Sequence, residues 1–234
     1  MVIAKEKTMK YDNIRSAVFL SRKNRFVALV EIDKEEVICH VKNTGRLREL
    51  LIPGAEVYVQ EHDDAKRKTK YSLIAVKKGE KVVNIDSLAP NKVFYEWVKR
   101  GEFCDGVTLV KPESTYKRSR FDCYIETEKS KMFVEVKGVT LEKDSVALFP
   151  DAPTERGVKH LNELCECIKD GYCACIVFVV QMKGPLSFSP NVQTHREFAE
   201  CLLKCRESGV DIVCVDCNVT PETLEISQRI AVKL

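Results

Sequence analysis

Asp122 lies in the stretch SRFDCYI, and Glu135 and Lys137 lie in FVEVKGV, a D-x12-E-V-K spacing. Both stretches read as strands, because apolar residues flank the charged ones. A polar KSK segment between them predicts a hairpin. Glu135 and Lys137 are two residues apart, so on a strand they share one face. Pairing in the hairpin brings Asp122 alongside them. Two carboxylates with one lysine make an oxygen-donor site for a hard divalent cation such as Mg²⁺ or Mn²⁺, which takes one or two carboxylates plus water and phosphate oxygens. The lysine orients a water and offsets charge on a phosphate. That chemistry is attack of water at phosphorus. The bland alternative is an exposed Glu–Lys pair beside an ion-paired aspartate.

The elements around the hairpin must position these groups. Asn91 is read as the cap of a helix over NKVFYEWVKRG, closed by Gly101, and VTLVK as a short strand. A second helix follows FPDAP. Val158, Leu161, Leu164 and Ile168 form its apolar face, and Gly171 ends it. Asp151 and Thr154 are candidate caps, and Pro153 suits a helix start. This segment is either only a helix entrance or a phosphate site, in which Arg156 and Lys159 sit on the first turns. CACIVFVVQ reads as the central strand, THREFAECLLKCRESG as a third helix and VDIVCVDC as a last core strand. The order of helices and strands defines an α/β unit over residues 87–234.

Residues 1–86 read differently. AVFLSRKNRFVALVEI, EEVICHV, EVYVQEH, TKYSLIAVKKG and KVVNIDS predict about five strands. A short helix is expected through Leu47, Leu50 and Leu51, ended by Pro53-Gly54. This pattern fits a small β-barrel, OB-fold-like or SH3-like. The boundary falls at SLAPN. Basic residues cluster in this unit: Arg22, Lys23 and Arg25 at a turn; Arg46 and Arg48 in NTGRLREL; Lys66, Arg67, Lys68 and Lys70 in AKRKTKY. The nearby aromatics are Phe26, Tyr58 and Tyr71. With few stacking rings, contact with backbone phosphates dominates, which implies weak sequence preference and strong salt dependence. His40 and His62 have no partner at metal-ligand spacing.

The 234 residues are 44% hydrophobic and 31% charged, which excludes a disordered or collagen-like chain. No apolar run approaches the roughly 20 residues of a spanning helix. No signal peptide is read, and a cytoplasmic location is expected. Residues 1–85 hold 18 Lys/Arg against 12 Asp/Glu, a net of +6, and the remainder is −3. That asymmetry suits an anionic partner, DNA or RNA. The 11 cysteines are expected to be free thiols. Cys201, Cys205, Cys214 and Cys217 do not have the spacing of a standard zinc finger or ribbon.

The whole chain resembles the sugar fermentation stimulation protein A (SfsA) family. The resemblance runs through NRFVALVEI, CHVKNTGRLRELLIPG, RKTKYSLIAV, SLAPNKVFYE, SRFDCYIE, FVEVKGVTL, ALFPDAPTERGVKHLNEL and GVDIV. It implies an N-terminal OB-fold domain joined to a C-terminal PD-(D/E)xK, restriction-endonuclease-like α/β domain, and DNA binding without sequence preference. Asp122, Glu135 and Lys137 then take the core motif positions. Glu96 matches the helix acid that many such folds add to the metal site. Two departures stand out: a proline in KPESTYKR, where a continuous strand is expected, and THREF in place of an acidic residue plus proline. The implied activity is nuclease, with a DNA-binding regulator of sugar (maltose) metabolism as the alternative and RNA processing as a third. Assembly as a homodimer stays open.

Overall fold

The computed structural model describes residues 9–234; residues 1–8, most of the segment read for a signal peptide, lie outside the described residues. The chain opens with β1 (Met9–Lys10) and continues with β2 (Ile14–Asn24), β3 (Val27–Ile32), β4 (Glu35–Val41), β5 (Glu56–Glu61), β6 (Tyr71–Lys78) and β7 (Lys81–Asn84). Burial alternates along these strands, as in β3, where Ala28, Val30 and Ile32 point inward. β2 pairs with both β3 and β5, β3 with β4, and β5 with β6. A parallel pairing of β4 with β6, Cys39 opposite Tyr71 through Val41 opposite Leu73, closes the ring. Five strands thus form a closed OB-like barrel, and closure removes the exposed edges. The expected helix at Leu47–Leu51 is instead a single turn: Leu47 has φ 50°, and its carbonyl accepts from the amides of Leu50 and Leu51. All three leucines are buried, so their spacing reflects burial of a turn and not a helical face.

The second unit contains α1 (Ala89–Lys99), β8 (Val107–Tyr116), β9 (Ser119–Thr127), β10 (Lys131–Val139), β11 (Leu141–Lys143), β12 (Val146–Phe149), α2 (Glu155–Lys169), β13 (Cys173–Val180), β14 (Ser187–Pro190), α3 (Arg196–Glu207), β15 (Asp211–Val219), β16 (Thr223–Arg229) and β17 (Ala231–Val232). A seven-stranded sheet runs β1-β16-β15-β13-β10-β9-β8. The apolar β13 is its middle strand, parallel to β10 and β15. Its side chains alternate between two cores. Ala174, Ile176, Phe178 and Val180 face the layer of α2 and α3, and Cys175, Val177 and Val179 face α1. β1 pairs with β16, so the first described residues belong in space with the second unit. β8 runs straight through Pro112, which is tolerated because β8 is an edge strand. The strand read as KMFVEVKGVTLE breaks after Val139. Its end, β11, joins β12, β14 and β17 in a separate four-stranded sheet that the apolar pattern does not disclose.

A buried polar network joins barrel and sheet. Gln181 Nε2 donates to Asn84 Oδ1 (2.8 Å) and to the Asp86 carbonyl (3.0 Å). The Tyr11 hydroxyl and Lys42 Nζ both donate to Asp86 Oδ2, each at 3.2 Å. Burial, then the Asp86 charge, raises the Tyr11 phenol far above its ordinary value, so it stays a donor. Gly138 is packed against this network. A Cβ there would lie 2.5 Å from Gln181 Oε1 and 2.8 Å from Pro90 Cγ. Gly138→Ala is therefore expected to destabilise the chain by roughly 1–3 kcal/mol, read as a lower urea midpoint at unchanged slope.

Candidate functional site

The β9–β10 hairpin pairs regularly from Lys131 opposite Glu126 to Val134 opposite Cys123, and then stops. Continuing the register sets Asp122 opposite Glu135. There the strands part, β9 staying with β8 and β10 with β13. The Asp122 carboxylate occupies the fork. Its Oδ2 accepts the Val136 amide (2.9 Å), and its Oδ1 accepts Asn91 Nδ2 (2.8 Å). Asn91 thus does not cap α1. The helix starts two residues earlier, Leu88 is its cap residue, and Asp86 Oδ1 accepts the Leu88 amide. The Asn91 side chain is spent on Asp122.

Glu135 is 2% exposed. Its Oε1 accepts from Lys137 Nζ and from His160 Nδ1, and its Oε2 is buried with no hydrogen-bond partner among the described residues. His160 comes from α2 and packs edge-on against Phe121; Arg156 Nε lies 3.4 Å from its other ring nitrogen. Sequence reasoning misses His160. Its one signal is a histidine two residues from the apolar Val158 and next to Leu161, on the buried side of a helix. Burial pushes the Glu135 carboxyl up, but the His160 hydrogen bond and Lys137 outweigh it and hold the group below its ordinary value. Asp122 is shifted the other way: burial, then the Glu135 charge, raises it against the Val136 amide, Lys137 and Asn91.

An unpartnered buried carboxylate oxygen beside a second, partly buried carboxylate is a donor set that fits a divalent cation. Asp122 and Glu135 would hold it. Glu96 is not brought to them. Its carboxylate accepts the Met9 amide (3.1 Å), and β1 is separated from β9 by five steps across the sheet. The reason is helical phase: Glu96 is five residues beyond Asn91 and points toward the opposite edge. The cysteines also fail to converge as a quartet. Cys201, Cys205 and Cys214 lie in the α2–α3 core, and Cys217 lies across the sheet. Cys165 Sγ is 3.3 Å from Cys205 Sγ.

The basic residues divide into committed and exposed groups. Arg22 donates to the carbonyls of Arg25, Asn43, Gly45 and Arg46, so it builds a loop and is not available to a phosphate, contrary to expectation. Lys70 pairs with Glu61 and lies over Tyr71, which is buried. Arg67 Nη2 donates to Ser72 Oγ (3.0 Å), although Arg67 itself is exposed. Lys23, Arg25, Arg46, Arg48 and Lys68 are exposed on the barrel. Lys159 sits 3.7 Å from Glu163, and exposed Arg156 leans on His160. Thr154 caps α2, its hydroxyl accepting the Gly157 amide (3.1 Å). Asp151 is not a cap; it accepts the Arg46 amide (3.0 Å) from across the domain boundary.

Fold and site together define a class: an OB barrel joined to a mixed α/β domain that carries an Asp…Glu-x-Lys constellation on neighbouring strands. Family models match both units, the SfsA N-terminal OB domain over residues 20–85 and the sugar fermentation stimulation protein RE domain over residues 88–223. The chain is 55% identical to the sugar fermentation stimulation protein homolog of Clostridium beijerinckii, covering 97% of this chain and 100% of that one. It is 54% identical to the homolog of Ruminiclostridium cellulolyticum, with the same coverage. It superposes on the structure of Pyrococcus furiosus SfsA in complex with Ca²⁺ with a TM-score of 0.88 and 31% identity, covering 98% of this chain and 100% of that one. The chain belongs to the sugar fermentation stimulation protein (SfsA) family. No helix among the described residues is long and apolar enough to cross a membrane.

The opposed shifts yield a stability test. Ionising Asp122 costs more in the folded chain than in the unfolded one, so its charge lowers stability as pH rises through the raised folded value. Asp122→Asn is expected to melt a few degrees above wild type in EDTA at pH 7. That gap should close below the ordinary aspartate range, where wild type is protonated in both states. Thermal melts across pH 3–8 check it.

Proposed function

We propose that the protein binds nucleic acid through its barrel and hydrolyses phosphodiester bonds at the Asp122–Glu135–Lys137 site with Mg²⁺ or Mn²⁺. The observation that carries this reading is the buried, unpartnered Glu135 Oε2 beside Asp122 and within reach of a lysine. The Ca²⁺ named with the Pyrococcus furiosus relative supports an oxygen-ligated divalent ion. When bound, such an ion supplies polarisation of the phosphoryl oxygen and a more acidic water. Lys137, held by Glu135, would donate a hydrogen bond to the oxygen of the attacking water, orienting it, and would offset charge on the phosphate. His160 and Lys137 fix the Glu135 carboxylate, and the Val136 amide and Asn91 fix Asp122. One P–O bond forms to the water oxygen as the water gives a proton to solvent, the opposite P–O bond breaks, and the leaving oxygen takes a proton from solvent.

A second reading, binding with little turnover in a regulatory role, is favoured by one observation: Lys137 and His160 already occupy Glu135 Oε1, leaving a single Glu135 oxygen for a cation. Cleavage of labelled DNA and RNA with Mg²⁺, Mn²⁺ or EDTA separates the two. Metal-dependent cleavage that falls at least 100-fold in Lys137→Ala and in Asp122→Ala, with binding retained, is the expected result. Binding without cleavage under every metal overturns the nuclease reading.

The barrel is expected to touch phosphates. Changing Arg67, Lys68 and Lys70 together to alanine should weaken binding of all sequences alike. It should also flatten the plot of log affinity against log salt, by about 0.7–0.9 for each phosphate that is no longer neutralised. Anisotropy titrations at four salt concentrations measure this. A sequence-selective loss contradicts it.

A further inference from the structure

A polar cleft of about 700 Å³ lies where the barrel meets the second domain. One wall is the 43–46 segment with Arg25 from the β2–β3 turn; the other is the 149–154 segment. Its floor includes Gly138, the residue after Lys137, and its far end reaches Thr154, the cap of the helix that carries Arg156 and His160. The cleft lining contains none of Asp122, Glu135, Lys137 and His160; cleft and candidate site share the C-terminal end of β10 and the N-terminal end of α2.

A hydrogen bond joins its two walls. The Arg46 amide donates to Asp151 Oδ2 (3.0 Å). At Gly45 a Cβ would stand 2.7 Å from that same oxygen, so the two walls touch there. The 43–46 wall is itself rigid: the Arg22 guanidinium binds four carbonyls of this loop and the neighbouring turn, and Asn43 Nδ2 donates to the Ile85 carbonyl (3.0 Å). A volume of about 700 Å³ suits a single drug-sized ligand, for which pockets measure roughly 300–1,000 Å³. A duplex, whose major groove alone is about 12 Å wide, is larger than a space of that volume.

The lining suits a polyanion with flat apolar groups. Arg25 and Arg46 are exposed on the barrel wall. Among the described residues of the lining the one acidic group, Asp151, is engaged by the Arg46 amide and lies in the field of Arg22. Next in the chain to the lining residue Arg25, Phe26 is 50% exposed on a turn, where an exposed ring can stack on a base.

We propose that this cleft holds a single nucleic-acid strand and leads it to the β9–β10 site, and that a continuous duplex is excluded. The proposal rests on the reading of that site as one acting on nucleic acid. The cross-wall bond ties the two walls together, the two arginines hold backbone phosphates, and Phe26 stacks on a base beside Arg25. Strandedness is thus set by the walls and not by the carboxylates.

The test is a binding titration of the full chain in EDTA, which needs no catalysis. Labelled single-stranded DNA, single-stranded RNA and a blunt duplex of the same sequence are compared, followed by cleavage of each with Mn²⁺. Wild type is expected to bind a single strand at least tenfold more tightly than the duplex. Arg25→Ala/Arg46→Ala and, separately, Phe26→Ala should each weaken single-strand binding about tenfold, and should change duplex binding less than twofold. Unchanged melting curves show that the variants fold, and the DNA and RNA arms identify the sugar preferred. Equal affinity for duplex and single strand, or single-strand binding untouched by both variants, overturns the cleft proposal even if metal-dependent cleavage persists. Failure to bind any nucleic acid overturns the functional reading itself, and the cleft proposal with it.

Discussion

Everything at the candidate site depends on one substitution of hydrogen-bond partners: the Asp122 carboxylate takes the Val136 amide that a continuing strand would have taken. A strand amide left unpaired inside a protein costs about 1–3 kcal/mol, so the fork between β9 and β10 can open only where a side chain supplies the acceptor. An aspartate is short enough to do this and still present oxygen to the space between the strands. Opening the fork sets Asp122 beside Glu135 and places two carboxylates in a buried corner. Burial, and then the Glu135 charge, pushes Asp122 up; burial also opposes ionisation of Glu135, which needs His160 and Lys137 to stay ionised.

The second constraint is the joint between domains. Gln181, Asn84 and Asp86 are nearly fully buried, and their bonds cross from barrel to sheet. Together with the Arg46–Asp151 hydrogen bond and the Lys78–Glu142 ion pair, they hold the barrel at one angle over the C-terminal end of β10. Buried polar bonds of this kind are directional, which apolar packing is not. A hydrophobic joint could slide, but this one positions the 43–46 loop opposite the 149–154 loop and so defines the cleft. Gly138 shows how tight the arrangement is, since a single methyl group there has no room.

Charge patterning alone is a poor guide to which basic residues face solvent. Arg22 and Arg25 lie three apart in one basic turn, yet Arg22 is consumed by four carbonyls while Arg25 stands exposed at the cleft. Glu96 carries the same lesson for acids: its residue type suits the candidate cation site, but its phase on α1 turns it toward the opposite edge of the sheet. In both cases the partner lies far along the chain or in the backbone, where residue type does not record it.

Much of the architecture is legible from residues alone, because short-range physics controls it. Short apolar stretches bounded by polar turns mark the barrel strands, β9 and β10, and an unbroken apolar run marks β13. Apolar spacing marks α2 and α3, and the shared face of Glu135 and Lys137 follows from the two-residue period of a strand. The small β11-β12-β14-β17 sheet is not legible, since strands of two to four residues are too short to show a period. Nor is the start of α1, where Asp86 rather than Asn91 supplies the oxygen. Only the tertiary structure could bring His160 to Glu135 across 25 positions of chain, turn Glu96 away, or close the cleft with Asp151. Local sequence determines which face a side chain takes on its own element. Which element meets that face is decided by packing between segments far apart in the chain.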